Sequence, residues 1–325
     1  MWTPLFDAFS PPGERARLSI LILHRVLPTR DALQPDVFDA GHFDAVCRWV
    51  KAWFRVLPLD EAVQRLRSGS LPARAAAITF DDGYADNHDV ALPILQRHGL
   101  PATFFIATGY LDGGCMFNDR ITEIIRRATV PSLDLRSTAL GDLGLHDLGS
   151  VEARRAAIHA VLLELRNFAV DERNEFCAWL QRLAGVAKLP ADLMMSTDQV
   201  RRMHQAGMTI GAHTVRHPML ARLDDAAARA ELAQSRELLQ DLIGARVGLF
   251  AYPNGRPNTD YSARTVALVR EAGFDAAVST AWGVARRDSD PYQLPRFTPW
   301  DRSRARFALR AIANLRRGRE DMARA

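Results

Sequence analysis

The segment Thr79-Phe80-Asp81-Asp82-Gly83 constrains this chain more than any other stretch. An apolar run over 75–80 ends in two adjacent carboxylates and a glycine. Neighbouring side chains on a strand point to opposite faces, so paired acids suit neither a core nor a plain solvated face. At a strand end the two can separate into different jobs, one binding a metal and one handling a proton. The alternative is a solvated turn, because Asp-Gly is a common turn dipeptide.

A second motif bears on that choice. His213-Thr214-Val215-Arg216-His217 follows the apolar run 208–211. Two histidines four apart fall on one helical face and can converge on one ion. The alternative is a pair of surface histidines. Together the motifs supply one carboxylate and two imidazoles. Three ligands leave a coordination position for water, the pattern of catalytic rather than structural sites.

With these motifs in place, the sequence resembles the polysaccharide deacetylases that carry the NodB-homology domain (carbohydrate esterase family 4). The TFDDG motif of that family is matched at 79–83, and its His-Ser/Thr-x-x-His motif at 213–217. Phe250-Ala251-Tyr252-Pro253-Asn254-Gly255 is similar to the FAYPxG segment of the branch that deacetylates poly-N-acetylglucosamine. Leu21-Ile22-Leu23-His24-Arg25-Val26 is similar to the early YHxV strand of that branch, with Leu23 where Tyr is common. The resemblance covers residues 18–111 and 195–298.

The resemblance implies a metal-dependent hydrolase that removes N-acetyl groups from an acetylated aminosugar, in a polysaccharide or its precursor. Exopolysaccharide biosynthesis is the setting it suggests. Carried over position by position, Asp82, His213 and His217 bind a divalent ion, Zn²⁺ foremost, with Co²⁺ or Ni²⁺ also suited to the donor set. Asp81 becomes the general base and His24 the general acid that protonates the leaving amine. Asn254 and Tyr252 fall in the oxyanion and substrate segment. Many relatives place an arginine just upstream of the Pro in this segment, where Phe250 and Ala251 stand here. Arg296 is the candidate replacement, holding Asp81 ionised through paired hydrogen bonds. The alternative is an ordinary surface salt bridge. Trp282, Trp300, Tyr84 and Phe117 are candidate sugar-stacking platforms or, equally, core residues. The same site would serve O-acetyl esters or a small non-sugar amide. A non-catalytic glycan-binding homologue is the reading from another class, but binding alone needs no general base.

The chain has 325 residues and a net charge of +4. The charge is concentrated in residues 301–325, where eight arginines face Asp301, Glu320 and Asp321. A basic helix over 303–317 carries Phe307, Leu309, Ile312 and Leu315 at apolar positions. It reads either as packed on the body or as a peripheral contact with an anionic membrane or polymer. Nucleic-acid binding is not expected, because aromatics are not interleaved with the basic cluster. Cys47, Cys115 and Cys177 give no disulfide framework. No stretch reads as a signal peptide or a membrane span, so a cytoplasmic protein is expected, with membrane association through the basic C-terminal helix as the alternative.

Strand-like runs at 18–26, 75–80, 101–107, 208–211, 247–252 and 274–280 alternate with helical patterns at 41–54, 60–67, 88–98, 197–205, 224–243 and 261–272. Alternation of this kind argues for a parallel sheet with helices outside. The resemblance implies a distorted (β/α) barrel of about seven strands over residues 1–300. Residues 112–194 break the rhythm with a hairpin (132–138, 142–147) and two helical stretches (151–168, 171–184). This insertion is expected to cap one side of the mouth.

Overall fold

Every residue of the run 75–80 is buried, as a parallel strand covered on both faces requires. The computed structural model describes residues 2–165, 168–317 and 322–323. Seven parallel strands pair in chain order: β1 (Ser19–Leu23), β2 (Ala75–Phe80), β3 (Thr103–Ile106), β4 (Thr209–Ala212), β5 (Leu249–Ala251), β6 (Ala276–Trp282) and β7 (Leu294–Arg296). Phe297, just past β7, closes the ring on β1. Its N–H donates to Ile20 O (2.7 Å), and its carbonyl accepts from Ile22 N–H (3.1 Å). With helices outside, this is a distorted (β/α) barrel.

The period of two along each strand sorts side chains into two cores. Ala76, Ile78 and Phe80 belong to the outer one, under the helices. There Phe80 stacks on Phe104 (4.8 Å between centroids) and meets Phe43 of the helix Ala40–Trp53 edge-on (5.6 Å). Each such ring contributes on the order of 1.5–3 kcal/mol by burial. The inner core takes the other parity: Leu18, Ile20, Ala75, Ala77, Phe105, Leu249, Ala251, Ala276, Val278 and Leu294. Leu59, Ala62, Val63 and Leu66 of the helix Leu59–Ser68 join this set and plug one end. Small inner residues make room for Phe105. A Cβ on Gly211 would sit 2.5 Å from its ring.

Most expected elements are present with trimmed ends. The pattern at 88–98 is a π-helical turn over Asn87–Ala91 followed by an α-helix over Leu92–His98. Pro93 cannot donate to the turn before it, so the turn widens. The strand β7 and the helix Phe117–Arg127 have no counterpart in the sequence reading. Within residues 112–194 that helix packs with the helices Val151–Leu165 and Val170–Leu183 and with the strand pair Ser132–Asp134 and Leu145–Asp147. Ile121, Ile124, Leu133, Val161, Phe176 and Leu180 give this part its own core. The last part of the 151–168 expectation, residues 166–167, lies outside the described residues, as do 318–321 and 324–325.

The C-terminal helix Arg304–Leu315 is packed. It buries Phe307, Ala308, Ala311 and Leu315, and Phe307 stacks on Trp53 at 5.9 Å. Its exposed side carries Arg304 and Arg306. All three cysteines are free. Among the described residues no helix is long and apolar enough to cross a membrane.

Candidate metal centre and active site

Following the inner parity toward the C-terminal ends of the strands, apolar residues give way to polar ones. On β2 the series Ala75, Ala77, Thr79 ends in Asp81; on β1, Leu18, Ile20, Ile22 ends in His24; on β4, Gly211 leads to His213; on β7, Leu294 leads to Arg296. The barrel therefore delivers one acid, two imidazoles and a guanidinium to one layer at its mouth, the end where barrel chemistry is usually found, with Asp82 next in the chain to Asp81.

Asp82 Oδ1 lies 3.4 Å from His213 Nε2 and 3.5 Å from His217 Nε2. The candidate ligand atoms of the three residues all lie within 4.8 Å of one another. His213 Nδ1 is 2.7 Å from the Ala251 carbonyl. A carbonyl only accepts, so Nδ1 carries the proton and Nε2 turns its lone pair toward the Asp82 oxygen. That oxygen is buried and has no hydrogen-bond partner. Two acceptors facing each other in a dry site need a cation or a proton between them. The donor set of one carboxylate and two imidazoles suits a divalent transition ion, so these residues fit the metal that the motifs imply.

The titration pattern agrees. Burial would raise the Asp82 pKa, but the close approach of His213 and the charges of His217, His24 and His213 bring it well below the usual carboxylate range. Burial and then the charge of His213 push His217 down to about 3, leaving its imidazole neutral, the ligating form. Burial would lower the His213 pKa, and the nearness of Asp82 and Asp81 raises it instead.

The two histidines do not share a helical face. His213 directly follows β4, and His217 sits further along the same loop. Positive φ at Thr214 (64°) and His217 (53°) folds the loop back. The Thr214 hydroxyl accepts from His217 N–H (3.1 Å), and the Glu231 carboxylate accepts from the N–H groups of Val215 (2.7 Å) and Arg216 (2.9 Å). Asp82 (77°) and Asn254 (57°) are also at positive φ. Such backbone costs about 1–3 kcal/mol per residue and collects at functional sites.

Asp81 is held by a residue of β7, the strand on the other side of β1. Arg296 Nη1 and Nη2 donate to its two oxygens at 2.7 and 2.6 Å. Arg296 itself is fully buried, with Nε on Ser279 O (2.8 Å) and Nη1 also on Thr79 Oγ1 (3.2 Å). Burial works to raise the Asp81 pKa. The charge and hydrogen bonds of Arg296 outweigh it and keep the carboxyl below its ordinary value. The pair is thus internal, not a surface salt bridge.

His24 is exposed at the mouth, and it lines a cavity of about 860 Å³ together with Asp82, Tyr84, Asp119, His159 and Trp300. Helices of the insertion supply one wall of this cavity. Asn254 is exposed in a tight turn whose carbonyl accepts from Thr280 Oγ1 (2.8 Å). Tyr252 is a correction. Its ring lies in the outer core against Tyr261 (4.1 Å), its hydroxyl donates to Tyr292 O (3.0 Å), and its N–H donates to Val278 O (3.2 Å). Neither group is free for substrate, because strand parity turns Tyr252 outward where Ala251 turns inward. Tyr84 and Phe117 each carry an arginine over the ring, Arg25 at 4.7 Å and Arg173 at 4.2 Å, and so offer no open face there. Trp300 remains half-exposed on the cavity rim, packed against Trp282 at 5.7 Å.

Glu231 and the cluster of Arg25, Asp86 and Asp119 are absent from the sequence reading. A signal for Glu231 existed. It is an acid inside the buried stripe Ala228, Leu232, Ser235 and Leu239 of the helix Asp225–Ile243.

Known proteins place this architecture. The profile of the family described as "Polysaccharide deacetylase" matches residues 68–131 and 168–277, more than half of the chain. A curated relative, the putative polysaccharide deacetylase YxkH of Bacillus subtilis, is 22% identical over 283 residues, 86% of this chain and 71% of that protein. The poly-beta-1,6-N-acetyl-D-glucosamine N-deacetylase of Staphylococcus aureus is 34% identical over 72 residues, 22% of this chain and 25% of that one. In fold, the chain is similar to IcaB from Ammonifex degensii (TM-score 0.58, 18% identity, 92% of this chain and 98% of that one). It is similar too to the Streptococcus pyogenes deacetylase PplD (TM-score 0.57, 20% identity, 87% and 92%). The chain belongs to the polysaccharide deacetylase family and is a hydrolase of amide bonds.

Proposed function

We propose that this protein removes N-acetyl groups from an acetylated aminosugar in a polysaccharide or its precursor. The observation that carries the reading is the Asp82 oxygen, buried and without a hydrogen-bond partner between two imidazole nitrogens, beside an acid held ionised by Arg296. Asp82, His213 and His217 hold a divalent ion, with zinc the first candidate. Bound there, the ion supplies Lewis acidity that acidifies water and polarises the acetamide carbonyl.

The remaining work falls to the chain. Asp81 takes the proton of the attacking water, and Arg296 keeps it ionised and oriented for that task. His24, in the open mouth, gives a proton to the departing amine nitrogen. An amine is a poor leaving group unless it is protonated as it departs. The backbone N–H of Asn254 is assigned to the developing oxyanion. Trp300, exposed on the cavity rim with Arg310 over its ring at 5.4 Å, is assigned to apolar contact with a sugar. The aminosugar assignment draws on the family and on the similarity to the Staphylococcus aureus enzyme, whose name states that substrate.

The test is acetate release by the zinc-loaded protein from an N-acetylglucosamine oligomer, an O-acetylated sugar and a non-sugar acetamide. Release is expected from the N-acetylated oligomer, abolished by chelation and restored by a divalent ion. Asp81→Asn should retain the metal and lose about 10²-fold or more in turnover. Release from the O-acetyl ester alone would overturn the amide assignment.

A further inference from the structure

His24 and Arg25 lie in a gap between β1 and the short strand Val26–Leu27. The backbone across this gap sets the direction in which His24 projects. Three contacts from the segment after TFDDG hold it. Asn87 Nδ2 donates to His24 O (2.8 Å), Asp86 Oδ1 accepts from Val26 N–H (3.0 Å), and Arg25 Nε donates to Asp86 Oδ2 (2.8 Å).

A fourth anchor comes from the insertion. Arg25 Nη1 donates to Asp119 Oδ1 (3.3 Å). Tyr84 OH donates to Asp119 Oδ2 (2.8 Å), and Asn118 Nδ2 reaches the same hydroxyl at 3.4 Å. Asp119 belongs to the helix Phe117–Arg127 and is buried, as is Tyr84. Burying a second carboxylate against an arginine that already has Asp86 is costly. Elsewhere the insertion holds itself together with aliphatic and aromatic side chains, which dock without that cost. Arg126 of the same helix also pairs with Asp31, but the Asp119 contact is the one made to the residue beside His24, and His24, Arg25, Tyr84 and Asp119 line the cavity that Asp82 also lines.

We propose that Asp119 is a positioning residue. Through Arg25 it fixes the backbone that aims His24 at the leaving amine, so the insertion completes the proton-donating side of the site. This rests on the acid role of His24 proposed above.

The experiment compares wild type, Asp119→Asn, His24→Ala and the double variant, all zinc-loaded with metal content measured. Each is assayed on an N-acetylglucosamine oligomer and on 4-nitrophenyl acetate, whose leaving anion needs no proton. Misaiming a catalytic group by an ångström can cost up to about 10²-fold, so Asp119→Asn should lose on the order of tenfold or more in kcat on the oligomer. KM, metal content and turnover of the aryl ester should stay within about threefold. The double variant should be no slower on the oligomer than His24→Ala, because the two changes remove one function. Equal losses on both substrates, or losses that multiply in the double variant, would show Asp119 to be a structural residue and overturn the proposal. Undiminished oligomer turnover in His24→Ala would overturn the acid assignment and this proposal together. If Asp119→Asn does not fold, Tyr84→Phe removes one hydroxyl from the same carboxylate and carries the same comparison.

Discussion

Arg296 and Asp81 are 215 positions apart in the chain and make a two-point contact across the barrel interior, at 2.6 and 2.7 Å. Arg296 extends from β7 and Asp81 follows β2, so the contact needs the barrel to close before it can form. Both side chains are almost without solvent contact. Removing one partner of such a pair leaves an uncompensated charge.

Arg296→Met is therefore expected to destabilise the protein by about 3–5 kcal/mol. It should also change the pH profile. Arg296 holds the Asp81 pKa down against burial. Without it, the carboxyl stays protonated to higher pH, and the acid limb of kcat/KM moves upward. Arg296→Lys keeps the charge and loses the fork, and should fall between the two. An acid limb that stays in place in Arg296→Met would disconnect Arg296 from the base.

Glu231 acts on the metal ligands at one remove. It receives the N–H groups of Val215 and Arg216, the residues that carry the chain from His213 to His217. Glu231→Gln keeps the volume and exchanges one acceptor oxygen for a donor. Supporting residues of this kind are typically worth about 10–100-fold in metal affinity. Competition with a coloured chelator, at a pH where the fold is intact, should read a loss in that range. Unchanged affinity would mean that the loop holds its shape without Glu231.

What the sequence displayed was local and periodic. The run 75–80, the strand β4 and the helix Asp225–Ile243 are legible because burial repeats at a fixed period and the helix has its cap, with Asp224 accepting from Ala227 N–H (2.7 Å). The barrel ligands Asp82, His213 and His217 were legible because they come in two short motifs. β7 was not, since its three residues include Pro295, which cannot donate in a ladder and counts against a strand. The helical geometry assumed for the histidine pair failed for a related reason. Only positive φ at Thr214 and His217 brings the rings together, and neither residue type announces that conformation. Tyr252 sits in the right motif, but its neighbour Ala251 takes the inward parity. The cluster of Arg25, Asp86 and Asp119 joins residues 94 apart, and nothing local encodes it.

The packing of Phe105 over Gly211 gives a prediction about the barrel itself. A Cβ at position 211 would stand 2.5 Å from Phe105 Cδ1 and 3.2 Å from Leu249 O. Gly211→Ala should cost about 1–3 kcal/mol, the usual range for overpacking. Since the clash is mainly with one ring, Phe105→Leu in the same chain should recover part of that loss. A double-mutant cycle from denaturation midpoints reads the coupling. Additive losses would place the strain in the backbone contact with Leu249.

Asp119 has a further consequence for stability. Burial pushes its carboxyl up to about 6, against the pull of Arg25. In the unfolded chain an aspartate titrates near 3.9, so below about pH 4 both states hold the proton. Between about pH 4 and 6 the unfolded chain has released it and the folded protein retains it. Over that window the unfolded state binds fewer protons, and stability falls as pH rises, by at most about 1.4 kcal/mol per pH unit. Above the folded value both states are ionised and the loss is complete. Asp119→Asn cannot titrate. The stability of wild type minus that of Asp119→Asn should therefore decline from pH 4 to 6.5 and then level off, with the carboxylates remote from Asp119 cancelling in the difference and only Asp82 and Asp86 coupled to it. Denaturant unfolding of both proteins at stepped pH measures it. A difference that grows with pH across this window would mean that Asp119 folds into the site already ionised, with Arg25 outweighing its burial.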